Sequence, residues 1–234
     1  MYVNFDHGEE VATNIRTFWF KPQHPLRYVA GQFVELQLPH PNPDKRGHKR
    51  WFTLSSSPSE KLISITTKLA TENGSTFKQT LASLKSGAEV TISEAMGDFV
   101  LPKDNTLPLV FVAGGIGVTP MRSMVKWIVD NHEQRKVNVI YAARSLDEIA
   151  FKELFKSQGI NLDVVLSDQT SGWTGRTGRL SGELILEIAG PSAEQLIYVS
   201  GPEPMVEALE KDLKSAGVNK HKLILDFFPG YPAP

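Results

Sequence analysis

The sequence predicts a β + α/β protein in two parts. An N-terminal antiparallel β-barrel is expected over residues 1–104, followed by a doubly wound, parallel five-stranded sheet over residues 105–234. Three observations carry that expectation. The first hundred residues hold several short apolar runs divided by turn signals. Past the polar, proline-containing stretch 102–108, strand-like and helix-like segments alternate. At the junction stands LVFVAGGIGVTPM, residues 109–121, an uncharged β-branched run that breaks into glycines and then into a helical pattern.

In the first part, residues 11–21 alternate loosely through Thr13, Ile15, Thr17, Phe18, Trp19 and Phe20, and residues 28–39 alternate cleanly from Phe33 to Leu38. Residues 40–49 are polar and proline-rich and read as a surface loop. Residues 50–57, 62–69 and 90–93 supply further short strands. One helix interrupts them: Ser75 can cap it, Phe77, Leu81 and Leu84 form its apolar stripe, and Gly87 ends it.

In the second part, strands are expected at 109–113, 137–142, 162–166, 196–200 and 222–227. Helices fall near 120–131, 146–157, 181–188 and 203–216. Ligands of such sheets bind at the carboxyl ends of the strands. There the first strand runs into Gly114, Gly115 and Gly117. Thr119 is a good helix N-cap and Pro120 suits a first helical position, after which Met121, Met124, Val125, Ile128 and Val129 recur at helical spacing. Glycines let a ligand approach the backbone, and a helix N-terminus offers free N–H groups to a phosphate. The dinucleotide pattern G-x-G-x-x-G is met only in its first half, because Pro120 holds the third glycine position. A tight strand-to-helix turn without a ligand would use the same residues.

Composition narrows the chemistry. Apolar residues are 41% of the chain, enough for a proper core. Twenty-five basic residues against 26 acidic ones leave a net charge of −1, so no nucleic-acid or anionic-membrane partner is expected. The absence of cysteine excludes disulfides, thiolate zinc sites, a cysteine nucleophile and an iron–sulfur cluster of the chain's own. No apolar run is long enough to span a bilayer, and the start MYVNFDHGEEV carries acid where a secretory signal carries base. A soluble, cytoplasmic protein is expected. The six histidines show no metal-ligand spacing, and neither a G-x-S-x-G elbow nor a nucleoside-triphosphate phosphate loop is present. Carboxylates such as Asp44, Glu94 and Asp98 are dispersed, with no glycosidase pair among them.

Four segments in order resemble one family. Arg50-Trp51-Phe52-Thr53 resembles the Arg-x-Tyr-Ser/Thr flavin motif of the ferredoxin–NADP reductase-like flavoproteins. Gly114-Gly115-Ile116-Gly117-Val118-Thr119-Pro120 is similar to their nicotinamide-side glycine loop. Ser200-Gly201-Pro202-Glu203-Pro204-Met205 is similar to their Cys-Gly-Pro-x-x-Met segment, with serine for cysteine. Asp226-Phe227-Phe228 resembles their terminal acid-x-aromatic segment. The resemblance implies FAD, with FMN an option, bound to the barrel, and NADH or NADPH on the sheet as hydride donor.

It also implies roles residue by residue. Arg50 would offer a cationic fork to the flavin phosphates, and Phe52, on the same strand face, would lie against the isoalloxazine. Thr53 would meet the flavin near N5, and Gly74-Ser75-Thr76 would hold phosphate at a helix start with Lys78 nearby. The cofactor-binding set further includes Trp51, Thr66 and Lys68. Each of these has a plainer alternative: a paired surface arginine, a core aromatic, a simple cap at Ser75. On the nucleotide side Thr119 would approach the carboxamide, the Gly115–Gly117 backbone would make room for the ring, Pro120 would start the helix, and Arg144 would contact phosphate. At residues 166–169, Asp168 stands where NADPH users of the family commonly carry arginine. An acid suits a ribose 2′-hydroxyl, so NADH is favoured, with Arg176 and Arg179 keeping NADPH open. Ser200 would sit beside nicotinamide C4, Gly201-Pro202 would turn the chain, Asp226 would assist proton movement at N5, and Phe228 would cover a ring.

The expected function is a flavoprotein reductase that passes hydride from NADH or NADPH to flavin. Its acceptor is separate, a small redox protein such as a ferredoxin, or a small molecule. An auxiliary electron-transfer subunit and a free-flavin reductase stand as the alternatives.

Overall fold

The structure, a computed structural model, describes residues 1–45, 47–69, 74–156, 160–168, 172–190 and 194–228, with Phe228 described by its backbone alone. The chain folds as an antiparallel sheet followed by a parallel one, as the sequence predicts. The first sheet contains β1 (Tyr2–Ala12), β2 (Ile15–Pro22), β3 (Phe33–Gln37), β4 (Lys49–Thr53), β5 (Ile63–Lys68) and β6 (Glu89–Ile92), in the order β4-β3-β6-β1-β2-β5. Residues 11–21 are therefore not one strand. β1 and β2 form a hairpin about Thr13 and Asn14, with Asn14 at φ 59, a left-handed conformation that asparagine tolerates. Register shifts at Phe5/His7 and Glu10/Ala12 break the alternation of β1, which hides it in the sequence.

The sheet curls until its two ends meet. Leu54 bridges Ile65, and the Ser55 N–H donates to the Ser64 carbonyl at 2.8 Å. That bridge also sets the Thr66 N–H on the Thr53 carbonyl; past it β4 and β5 have no ladder between them, and a seam runs between Trp51 and Lys68. α1 (Thr76–Ala82) packs Phe77 and Leu81 into the barrel core. It ends at Ala82 rather than near Gly87, which instead takes φ 87 in the turn leading into β6.

The second sheet has six strands, not five. β7 (Leu109–Gly114), β8 (Val137–Ala143), β9 (Ile160–Leu166), β10 (Arg176–Thr177), β11 (Leu196–Pro202) and β12 (Leu223–Phe228) run parallel in the order β10-β9-β8-β7-β11-β12. The additional strand is a two-residue edge piece, too short to show a period. β7 is buried along its whole length. Its odd residues Leu109, Phe111 and Ala113 enter one apolar layer and Val110 and Val112 the other, which is why the run carries no charge. α2 (Val118–Asp130) and α3 (Lys152–Phe155) lie on the first face, and α4 (Gly182–Ala189) and α5 (Glu203–Ser215) on the second. The helix expected at 146–157 is a 3₁₀ turn at Leu146–Glu148 and the single-turn α3. Among the described residues no helix is long and apolar enough to cross a membrane.

The two sheets are joined by α2. Arg122 forms an ion pair with Glu60 through both nitrogens, and its Nη1 also donates to the Ser55 carbonyl at 3.0 Å. Ser123 Oγ donates to the Ser56 carbonyl at 2.5 Å, and Ser59 Oγ donates to Asp130 at 2.5 Å. Ile15, Ala30 and Phe99 from the barrel side enter the same apolar layer as Met121 and Met124.

Both members of the Arg122–Glu60 pair are largely buried, so removing one strands the other. Arg122→Ala should lower unfolding free energy in urea by about 3 kcal/mol. The double variant with Glu60→Ala should lose clearly less than the sum of the single losses.

Candidate functional site

The order of the parallel strands locates the site. From β7 the chain winds outward through β8 and β9, then returns to lay β11 on the opposite side of β7. The crevice between the ends of β7 and β11 is the switch point at which ligands of such sheets bind. The glycine turn closes β7 there, and Ser200-Gly201-Pro202 closes β11. A cavity of about 570 Å³ opens over these ends. Its floor is Gly114, Gly115, Ile116 and Pro202, one wall is Ala143, Arg144 and Ser167, and Arg179 stands at the far rim.

The glycines divide by role. A Cβ on Gly117 would lie 2.3 Å from the Ser200 carbonyl oxygen and 2.6 Å from the Gly201 nitrogen, so this glycine lets two strand ends touch. Gly115 takes φ 51, and a Cβ there would meet nothing within 4 Å, because it lines the cavity. The room expected of Gly115–Gly117 as a pair is thus supplied at Gly115. Gly201 packs on Gly114. A 3₁₀ turn at Gly115–Gly117 leads directly into α2, whose cap is Gly117. Thr119 is therefore the second residue of the helix rather than its cap, and its hydroxyl donates to the Ile116 carbonyl at 3.1 Å. Pro120 is the third residue, still within the first turn, where no N–H partner is required.

The barrel reaches this cavity through Lys68. Its Nζ donates to Glu148 at 2.6 Å, and both side chains border the opening. Lys78 donates to the Lys68 carbonyl at 2.6 Å. Ser64 turns its backbone toward β4, so alternation turns Thr66 and Lys68 the same way. On β4, the Leu54 N–H donates to Gln32 on one side and the Ser55 N–H donates across the closure on the other. The backbone polar groups of Trp51 and Thr53 therefore face the seam. The seam thus has the Trp51 backbone on one edge and Lys68 on the other, with Thr53 and Thr66 at its closed end, and Lys68 is also a wall of the switch-point cavity.

The side chains of the Arg50 motif are placed differently. Arg50 and Phe52 share a face, as expected of alternate strand residues, but both are buried. Arg50 is 5% exposed. It donates to Asp44 at 2.9 Å, to the carbonyls of Gly47 and Lys49, and lies over the Phe77 ring at 4.9 Å. Phe52 stacks on Phe77 at 6.0 Å in the barrel core. Thr53 is buried, and Trp51 points outward. Thr66 Oγ1 is bonded to Thr17 and Ser55. Ser75 caps α1, accepting from the Lys78 N–H at 3.4 Å, and Thr76 Oγ1 lies 2.8 Å from His40 Nδ1.

Ser200 is fully buried and donates to Asp226 Oδ2 at 3.2 Å across the in-register β11–β12 pair. Burial lifts the Asp226 carboxyl above its ordinary range, and the Ser200 hydroxyl pulls it partly back. At the end of β9, Asp168 accepts from Ser167 Oγ at 3.1 Å and lies 3.7 Å from Arg144 Nε, both partners being exposed. Arg176 pairs with Glu187 at 2.9 Å. Phe228 ends β12 beside Pro202. Its side chain, Gln169 and Pro229 through Tyr231 lie outside the described residues. Glu148, Asp44, His40, Glu60 and Arg122 belong to the site and its frame without being predicted. Their partners lie from six to more than sixty residues away, and no local pattern marks such pairs. Among the described residues no cluster of metal-ligating side chains occurs.

Comparison with known proteins agrees with this geometry. Residues 111–211 match the oxidoreductase NAD-binding domain family. The flavohemoprotein of Oceanobacillus iheyensis is 28% identical over 226 residues, covering 92% of this chain and 55% of that protein. The glycine betaine monooxygenase reductase subunit of Chromohalobacter salexigens is 30% identical over 235 residues, covering 94% of this chain and 62% of that protein. The chain thus spans little more than half the length of the flavohemoproteins it matches. In structure it is similar to the FAD/NAD-binding domain of nitric oxide dioxygenase from Vibrio cholerae, with TM-score 0.86, 21% identity and 98% of both chains covered. It is also similar to ferredoxin–NADP⁺ reductase from Plasmodium falciparum, with TM-score 0.76, 16% identity, and 97% and 95% covered. At these identities the structural likeness establishes the fold.

Two measurements test the geometry. Gly117→Ala should cost about 3 kcal/mol of stability, because backbone must move, whereas Gly115→Ala should cost about 1–2 kcal/mol from its dihedral alone. For Asp226 the sign is fixed by the raised folded-state pKa. The wild-type carboxyl contributes stability below its ordinary value of 3.8 and loses it as pH rises through the raised one. Urea unfolding of Asp226→Asn should therefore improve relative to wild type as pH rises across that window.

Proposed function

From the premise that this chain is ferredoxin–NADP reductase-like in fold, with an oxidoreductase NAD-binding domain over residues 111–211, we propose that it is an NAD(P)H-dependent flavoprotein reductase. It takes hydride from a reduced nicotinamide onto a flavin and passes electrons to a separate acceptor, a small redox protein. The boundary between its flavin-binding and nucleotide-binding parts falls at residues 104/105, and its location is cytoplasmic. One observation carries the reading: the switch-point cavity is walled by Lys68, which also edges the open seam of the barrel, so the two binding places adjoin.

The residues present fit both groups. The polar edge of a flat ring system is assigned to the seam, which the Trp51 backbone and the Lys68 N–H face and which Thr53 and Thr66 close at one end. Gly74, Ser75, Thr76 and Lys78 lie near its end for phosphate. FAD, with FMN an option, supplies hydride acceptance and electron release when bound. On the opposite side Gly115 leaves space for a ring over β7, and Arg144 and Arg179 border the cavity for the phosphates. Asp168 takes a ribose hydroxyl, for which its exposed pairing with Arg144 is weak enough to rearrange. Thr119, Pro120, Gly201 and Pro202 set the shape of the turn beneath the nicotinamide. Ser200 and Asp226 form a hydrogen-bonded pair behind it, a place where a proton can be held. Phe228 is proposed as a ring cover.

A second reading has its own support. Arg50 is already neutralised by Asp44, so a flavin phosphate has to displace a carboxylate to use it. Weak retention of flavin would make the chain a free-flavin reductase.

An absorbance spectrum of the purified chain, before and after anaerobic NADH, separates these. A yellow protein that bleaches supports the reductase. A yellow protein that stays oxidised points to an auxiliary subunit, and a colourless one that consumes NADH only with added flavin points to the free-flavin reductase. Asp44→Asn should bind FAD several-fold more tightly by fluorescence quenching, and equal or weaker binding would show that Asp44 does not compete. NADH should exceed NADPH in kcat/KM, and Asp168→Arg should move the ratio toward NADPH at least tenfold.

A further inference from the structure

The outer face of the barrel beside the seam carries an apolar strip that neither the core nor the cavity uses. Trp51 is 65% exposed and lies nearly parallel to the Phe33 ring, 5.5 Å between centroids. Met96 is 39% exposed and opposes Phe33 in an antiparallel bridge, the two residues exchanging both N–H···O bonds at 2.9 Å, so their side chains share the face. The strip therefore runs Met96–Phe33–Trp51 and ends on β4, the strand that edges the seam. Gly97 lies directly against the Phe33 ring, where a Cβ would come within 2.9 Å.

The rim of this strip is acidic. Glu35 accepts from Trp51 Nε1 at 3.2 Å and is paired with Lys49. Glu94 and Asp98 flank Met96 in the chain, both exposed, and neither has an ion-pair partner among the described residues. Glu94 and Asp98, with Glu35 already paired to Lys49, give the strip two further carboxylates two residues either side of Met96. A second copy of this chain would set carboxylates against carboxylates across a two-fold axis, which disfavours self-association. The charge suits a partner of opposite sign.

Resting on the reductase reading above, we propose that this strip is the surface from which electrons leave, and that it docks a one-electron redox protein whose exposed cofactor edge is ringed by basic residues. Trp51 couples the two sides: its backbone faces the seam and its indole faces outward. The overall step balances as NADH plus two oxidised acceptor proteins giving NAD⁺, one proton and two reduced acceptor proteins. The apolar centre supplies contact area and the acidic rim supplies steering, as in other transient interfaces.

The test uses the flavin-loaded full chain under anaerobic conditions with cytochrome c as the basic, haem-bearing probe and ferricyanide as a small acceptor. Glu94→Lys/Asp98→Lys should lower kcat/KM for cytochrome c at least tenfold at low ionic strength, and the ferricyanide rate, compared at high ionic strength where the attraction of this trianion to lysine is screened, should stay within twofold. A control with the same charge change elsewhere, Glu183→Lys/Glu207→Lys, should change cytochrome c reduction less than threefold. Direct binding of cytochrome c to the immobilised chain should weaken in the same order, and Met96→Glu should raise its Kd rather than lower it. Equal losses in both double variants, or no loss in the first, would overturn the surface. A wild-type chain that neither bleaches nor reduces ferricyanide would overturn the reductase reading instead, and the binding measurement would still decide whether the strip docks a basic protein. A wild-type dimer by sedimentation that Met96→Glu dissociates would give the strip to a second copy and overturn the proposal.

Discussion

The first turns of α2 set the relation between the two halves. Helix α2 begins at the glycine turn, so the element that shapes the nucleotide cavity also reaches the barrel. Arg122 and Ser123 sit one turn in and take hold of Ser55, Ser56 and Glu60, the residues that follow the flavin-motif strand. The Ser55 and Ser56 carbonyls and the Glu60 carboxylate accept from the other domain, with Tyr28 also donating to the Ser56 carbonyl and the Ser57 N–H to Glu60. Parting the halves would take the charged partner from Glu60 and one donor from each carbonyl, a cost paid at every opening. The interface is therefore held by direction as well as by area, and it places the end of β4 against the start of α2.

The same logic explains the composition of the barrel closure. Thr17, Thr66, Ser55 and Ser64 form a chain of buried hydroxyls with separations of 2.8–2.9 Å, and Ser56 bonds Tyr28 and the Ser64 N–H. Each hydroxyl donates and accepts, so a small cluster can be buried with every member satisfied. Burial keeps the Tyr28 hydroxyl protonated, since desolvation raises its pKa well above the ordinary value. These residues close the sheet at one point only. Fixing Leu54 on Ile65 and Thr53 on Thr66 while the ladder goes no further toward Trp51 and Lys68 makes the seam a feature of the fold rather than a frayed edge.

How much of this was legible in the sequence follows from the range of each interaction. β7 and its glycine turn are readable because a strand buried on both faces excludes charge over its full length, and because Gly117 must admit the backbone of Ser200. The β1–β2 hairpin is obscured by bulges that shift its alternation. The two-residue β10 has no period to read, and α3 is a single turn behind a 3₁₀ segment. At the site, residue types were readable but their partners were not. Arg50 announces a need for negative charge, yet its anion in this structure is Asp44, inside a proline-rich loop with no periodicity. Arg122 and Glu60 meet only because two domains do, and nothing within ten residues of either signals the other.

Position 200 shows how close packing decides what a substitution means. Gly117 packs closely on the Ser200 backbone across the switch point, and the Ser200 hydroxyl turns across the sheet to Asp226. A hydroxyl is a stronger hydrogen-bond donor than a thiol, so serine there favours the ionised carboxylate while burial opposes it. The Ser200 hydroxyl thus acts on the proton affinity of its neighbour across the sheet. The protonation of Asp226 follows the balance of burial against that hydrogen bond, and the balance belongs to the β11–β12 pair as a unit rather than to either residue.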